Sequence, residues 1–156
     1  MVNAFPIALS GAQAAQTRLS VSASNVANLR STGVLPDARG PNALGPNAVG
    51  PNAQGPVPDG APRAYEALRT SQTAIAGPGG QGLGTLATAR PANPAIVAEA
   101  APDSPFANGD GLIAAPNVDL VGERVEQIAA GAAYKAALAV IRTQSEMERE
   151  LLNVRA

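Results

Sequence analysis

Apolar positions recur with helical spacing at both ends of this 156-residue chain, and turn-forming residues separate the two stretches. Ala8, Ala12, Ala15, Leu19, Ser22, Val26 and Leu29 alternate steps of four and three, the seam of a coiled coil, and predict a helix over residues 5–32. Pro6 suits a first helical turn, where its missing N–H costs nothing, and Gly33 is the expected C-terminal stop. The early seam is alanine, so a partner helix could come close but would bury little area. Ser20, Ser22, Ser24, Asn25 and Asn28 are mediocre helix formers, so this helix needs partners.

The second periodic stretch predicts a helix over residues 117–154. Val118, Val121, Val125, Ile128, Ala132, Ala136, Ala139, Thr143, Met147, Leu151 and Val154 form its main stripe. Asn117 is the expected N-cap, and Asp119 and Glu123 place negative charge near the positive helix end. At about 1.5 Å per residue such a helix would run roughly 57 Å, longer than a globule of this size needs. Arg142–Glu146 and Glu146–Arg149 are spaced to pair along its surface. A second stripe, Tyr134, Leu138, Ile141 and Leu152, lies about 100° from the first. An intramolecular partner covers only one of these faces well. The second is therefore expected to pack between subunits.

Residues 34–62 differ in kind. Gly40-Pro41-Asn42-Ala43, Gly45-Pro46-Asn47-Ala48 and Gly50-Pro51-Asn52-Ala53 repeat every five residues. Collagen needs glycine at every third position and solenoid repeats are far longer, so a linker of successive turns is expected. Over 63–115, Ala64–Ala76 fits one or two helical turns or an irregular strand. Leu83–Ala89 and Ala95–Ala98 are expected to pair as a β-hairpin across Ala92-Asn93-Pro94. Residues 102–111 form a structured loop rich in Pro, Asn, Asp and Gly. The predicted fold is mainly α. Long terminal helices over 1–33 and 116–156 pack as a coiled coil, with a Gly/Pro-rich linker over 34–62 and a small β-hairpin region over 63–115 between them.

Composition narrows the function. Hydrophobic residues make up 46% of the chain, but alanine supplies 34 of them and aromatics only 3%, so a large single core is not expected. Without Cys there is no disulfide, thiolate metal site or cysteine nucleophile, and without His the commonest general base is missing. A net charge of −1 gives no basic footprint for nucleic acid or polybasic membrane anchor. Arg18 is the first charged side chain, so no basic leader is expected.

The candidate chemistry is thin. Asp103 and Asn108-Gly109-Asp110-Gly111 resemble part of a calcium loop but lack its terminal bidentate Glu, so a turn is the expected reading. Gly77-Pro78-Gly79-Gly80-Gln81-Gly82 has no following Lys-Ser/Thr to hold phosphate. Glu146 and Glu150 share a helix face flanked by Arg, an ordinary solvated arrangement. No catalytic, cofactor or metal residues are assigned, and neither a nucleic acid nor a small-molecule substrate is expected.

The two ends resemble the terminal signatures of bacterial flagellar rod and hook proteins. At the N-terminus the matching positions are Ser10-Gly11, Arg18-Leu19, Ala23 and Asn25-Val26-Ala27-Asn28. At the other end they are Pro116-Asn117-Val118-Asp119-Leu120-Val121, with Glu123, Ile128 and Tyr134. The short length and the stretch Asp103–Leu112 resemble the proximal-rod members, whereas distal relatives carry large inserted domains. The Gly-Pro-Asn-Ala repeat, and Gly122 and Gly131 inside the second helix, depart from the family pattern.

The resemblance implies a structural rod subunit rather than an enzyme. It would polymerise through its terminal helices into the drive shaft that spans the periplasm and transmits torque to the hook. Implied partners are other copies of itself, neighbouring rod subunits, the inner-membrane ring and the flagellar type III export apparatus. A coiled-coil adaptor or export-associated binding protein would use similar Ala-rich helices, and differs in remaining a small oligomer.

Overall fold

The structure is a computed structural model that describes residues 4–36 and 60–154. Two long helices, α1 (Ala4–Ala27) and α2 (Leu120–Val154), flank four strands: β1 (Leu68–Ala76), β2 (Gly82–Pro91), β3 (Ile96–Ala100) and β4 (Leu112–Pro116). Nearly half of the described residues are helical and close to a quarter lie in strands, so the β region is a larger share than a mainly α fold implies. The repeat over 40–56 lies outside the described residues.

The strands form two separate two-stranded sheets, β1–β2 and β3–β4. This corrects the expected pairing of Leu83–Ala89 with Ala95–Ala98. The tight turn is Gly77–Gln81, closed by the Gly77 N–H on the Gln81 carbonyl at 2.8 Å. Gly79 and Gly80 adopt φ of 88° and 80°, a left-handed conformation that glycine alone adopts without steric cost. So short a connection forces β1 and β2 to run antiparallel. The Ala92-Asn93-Pro94 segment, with a cis Asn93–Pro94 bond, does not close a hairpin. Its backbone is taken by the residues before β1: Ala92 donates to the Ala67 carbonyl at 2.7 Å, and Ala67 donates to that of Ala95 at 3.1 Å. Strands β3 and β4 pair antiparallel, with Ile96 opposite Pro116 and Ala100 opposite Leu112. Their connection is closed by Asn108, whose Oδ1 accepts from the N–H groups of Asp110 at 3.0 Å and Leu112 at 2.9 Å. The acidic loop is thus a side-chain-capped turn.

Contacts divide the described chain into two units. One contains α1 up to Ser22, Thr70–Ala89 of the first hairpin, and α2 from Arg124. The other contains residues 23–36, residues 60–69 and Arg90–Glu123. The second has a small core of Ala67, Ala92, Ala95, Ile96, Ile113, Ala114 and Ala115. Along β4, Ile113–Pro116 are buried on both faces, and Gly33 bridges Ala114 through a pair of backbone hydrogen bonds of 3.0 and 2.9 Å.

Both helix ends differ from expectation. Helix α1 stops at Ala27, not near residue 32: the Asn28 N–H makes a last helical bond to the Ser24 carbonyl at 3.0 Å, the Asn28 side-chain amide shares that carbonyl at 2.9 Å, and Leu29 and Ser31 then bond only three residues back, to Val26 and Asn28. Gly33 serves the bridge to β4 and is not the helix stop. Helix α2 is capped by Asp119, whose carboxylate accepts from the N–H groups of Val121 at 3.0 Å and Gly122 at 3.1 Å. Asn117 is not the cap. Its side chain donates to the Pro94 carbonyl at 2.8 Å, fixing the segment between β4 and α2.

The terminal helices as a candidate assembly surface

In the unit that contains the end of α1, the two terminal motifs meet at Asn25. This side chain is only 1% exposed, and all its hydrogen-bonding capacity is used. Its Oδ1 accepts from the Leu68 N–H at 2.9 Å and the Tyr65 hydroxyl at 3.1 Å. Its Nδ2 donates to the Leu68 carbonyl at 2.8 Å and to Oε1 of Glu123 at 2.7 Å. Two donors and two acceptors are the whole inventory of an amide, so only Gln carries the same set, on a side chain one methylene longer. The Tyr65 hydroxyl is also 3.1 Å from the Ser24 hydroxyl. Glu123, expected only to favour the helix N-terminus by its charge, is a buried hydrogen-bond acceptor. Sequence reasoning finds Asn25 and Glu123 through the family motifs. It misses Tyr65, which no periodic or motif signal marks.

In the other unit the helices run antiparallel, with Arg18 against Glu126 and Gly11 against Ala137. Arg18 grips the carboxylate with two prongs, Nε to Oε1 at 2.6 Å and Nη2 to Oε2 at 2.9 Å. That hydrogen bond and the charge of Glu126 raise the Arg18 pKa above its ordinary value. Ala12, Ala14, Ala15 and Ala130 are buried here. Ser10 receives the hairpin: its hydroxyl donates to the Ile7 carbonyl at 2.7 Å and accepts from the Thr85 N–H at 3.1 Å. Gly84, at φ 141°, lets β2 come this close, since a Cβ there would run into the Ser10 side chain. Among the remaining motif residues, Leu19 and Ala27 are exposed, and Val26 and Val118 are partly covered.

The faces of α2 fall differently from the expectation. Ala130 is buried and Ala137 and Ile141 are partly covered, so the inward face combines small side chains with only one member of the Tyr134–Leu138–Ile141–Leu152 set. Tyr134, Leu138 and Leu152 are exposed. The main stripe, which an intramolecular partner is expected to cover, points the other way. Val125 is 62% exposed, Ile128 74% and Leu151 68%, with Val121 and Val154 likewise open. The reason is steric: alanines and a glycine let the two helices approach closely, and the branched side chains are left on the far side. The expected Arg142–Glu146 and Glu146–Arg149 pairs are also not formed, whereas Arg18 and Glu126 are paired.

No helix among the described residues is long and apolar enough to cross a membrane, and no group of His, Cys, Asp or Glu among them could hold a metal ion. What α2 presents is an apolar surface without a ligand pocket's chemistry.

Comparison with known proteins gives this surface a context. Residues 5–33 match the family described as flagella basal body rod protein, and residues 110–154 match the C-terminal family described as flagellar basal body rod FlgEFG protein. The chain is 32% identical to the flagellar basal-body rod protein FlgC of Yersinia enterocolitica over 99% of its own length and 97% of that relative. The FlgC of Salmonella typhimurium is equally similar over the same shares, and that of Escherichia coli O157:H7 is 30% identical. The matched segments hold Ser10, Arg18, Asn25, Glu123 and Glu126, the residues that tie each terminal helix to its surroundings. The chain therefore belongs to the flagellar basal-body rod protein family, with FlgC proteins among its relatives.

Proposed function

We propose that this chain is a structural subunit of the flagellar rod that polymerises through its terminal helices. The observation that carries this reading is the outward stripe of α2, where Val125 and Ile128 are 62% and 74% exposed on a helix of 35 residues. A fully buried Val or Ile side chain contributes about 1.5–3 kcal/mol, and within the described chain these two contribute little. Packed as a coiled coil against neighbouring subunits, they make assembly favourable and the rod stiff enough to pass torque to the hook. The subunit acts by packing and not by catalysis. Its neighbours are further copies and other rod subunits within the periplasm-spanning shaft, with the inner-membrane ring at the base and the export apparatus delivering it.

The test is the double substitution Val125→Ser with Ile128→Ser in the native host. The variant should be exported yet leave the basal body without a complete rod, and the cells should not swim. Normal swimming with complete basal bodies would overturn the reading.

A further inference from the structure

Helix α2 carries its unpaired charges in two blocks. Arg124 lies beside Val125 and Ile128, and Lys135 and Arg142 follow it along the same side of the helix, the three within about 20° of one another around the axis. Beyond them, Glu146, Glu148 and Glu150, with Arg149 among them, surround Met147, Leu151 and Leu152. Among the described residues none of these side chains has an ion-pair partner; Arg124 bonds only Gln127, at 3.0 Å, and Glu148 only Gln144, at 2.9 Å. The acidic block sits where the helix dipole is already negative, an arrangement that costs the isolated helix stability. The helix also has no basic residue in its last turn to offset it. Every residue from Glu146 to Val154 is exposed, so this end is not used by α1.

Resting on the rod-subunit reading, we infer that the acidic, leucine-bearing end of α2 docks along the basic, valine-bearing half of α2 in a second copy of the chain. Charge complementarity selects this occupant. The cations run along the side of the helix that carries Val125 and Ile128, the carboxylates surround Met147, Leu151 and Leu152, and each block lacks the counterion that the other supplies. With the two helices parallel, each copy gives its end to one neighbour and receives the end of another, so the contact is heterologous, whereas an antiparallel pair would exchange both contacts at once. The parallel contact therefore does not close into a two-fold dimer but repeats in one direction. The copies overlap side by side, displaced by about 20 residues or roughly 30 Å along the helix.

Sedimentation of the purified full chain at low and high salt tests this. The unmodified chain should form species that lengthen with concentration at low salt and shorten at high salt, as exposed charge pairs are screened. Arg124→Glu with Lys135→Glu, and separately Glu146→Lys with Glu150→Lys, should each weaken self-association by about tenfold or more. An equimolar mixture of the two reversal variants should regain association and lengthen, because an intact acidic end meets an intact basic half at one contact and a reversed, basic end meets a reversed, acidic half at the next. The neutral versions, Arg124→Gln with Lys135→Gln and Glu146→Gln with Glu150→Gln, give intermediate weakening, and they decide the matter if a reversal disturbs helix content by circular dichroism. No pairing in the mixture, unchanged association of both variants, or an unmodified chain that stays monomeric would overturn the inference. The rod reading is scored separately in cells. If the charge variants swim and Val125→Ser with Ile128→Ser does not, that reading stands and the head-to-tail contact falls.

Discussion

Asn25 binds the backbone of Leu68 as a neighbouring strand would, giving one hydrogen bond of 2.8 Å to its carbonyl and taking one of 2.9 Å from its N–H. A side-chain amide offers the same kinds of donor and acceptor as a peptide group, so a helix residue can pair with the first residue of β1 as a strand would. The remaining donor goes to Glu123 and the remaining acceptor site to Tyr65. One buried residue of α1 thereby holds the start of β1 and the first turn of α2.

Replacing Asn25 with Asp keeps the shape and reverses the chemistry. The Leu68 carbonyl loses this donor, Glu123 loses one of its hydrogen bonds, and a second carboxylate arrives next to it. Leaving buried polar groups unsatisfied costs about 1–3 kcal/mol each, so Asn25→Asp should destabilise the chain by about 3 kcal/mol. A thermal melt followed by circular dichroism reads this as a clear drop in midpoint. An unchanged melt would mean that the amide's donors are dispensable.

Arg18 and Glu126 invite a charge swap. Their side chains are 21% and 34% exposed, so the pair is screened and contributes about 1 kcal/mol. Arg18→Glu should lose somewhat more than this, because it sets two carboxylates together, and Arg18→Glu with Glu126→Arg should recover most of it. The Arg18 pKa is raised in the folded chain, so its contribution is fully present below the ordinary arginine value and is lost only as pH rises beyond the raised one. The difference between parent and Arg18→Glu should therefore stay constant from neutral to moderately alkaline pH. Urea melts at several pH values measure it.

Gly33 has no room for a side chain. A Cβ there would collide with the Pro62 carbonyl oxygen and the backbone of Arg63 and Ala64. Backbone cannot swing aside as a flexible side chain does, so Gly33→Ala must shift the segment that pairs with Ala114. A cost of about 2–3 kcal/mol is expected from overpacking, seen as faster amide exchange at Gly33 and Ala114. Equal exchange in parent and variant would show that the strand segment adapts.

The parts legible in the sequence are those with a long period. Twenty-four residues of α1 and 35 of α2 repeat the helical spacing often enough to outweigh poor formers such as Ser22 and Asn25. Strand pairing is not legible, because Leu83–Ala89 alternates equally well beside either partner. The choice is made by Gly79 and Gly80 in the tight turn and by the backbone bonds of Ala67. The sides of α2 escape sequence reasoning for a different reason. Hydrophobicity says which side chains prefer burial, but not in which molecule they find it. Ala130 and Ala137 face α1 because they permit close approach, and Val125 and Ile128 are left outward.

Gly131 tests that same relation from the opposite side. It lies in the middle of α2, and a Cβ added there meets no atom within 4 Å in the described chain. A glycine inside a helix costs about 1 kcal/mol relative to alanine, so Gly131→Ala should stabilise the isolated subunit by about that amount. Gly122 makes the contrast, since its Cβ would stand 2.9 Å from the Asp119 carboxylate that caps the helix, and Gly122→Ala should gain little. If Gly131 is simply a tolerated flaw, the stabilised variant should assemble and swim like the parent. If the glycine makes room for the backbone of a neighbouring subunit, Gly131→Ala should raise the melting midpoint and still lower rod assembly. Melts of the purified chain beside swimming and basal-body counts separate the two, and a variant that melts no higher than the parent would contradict the open space seen around Gly131.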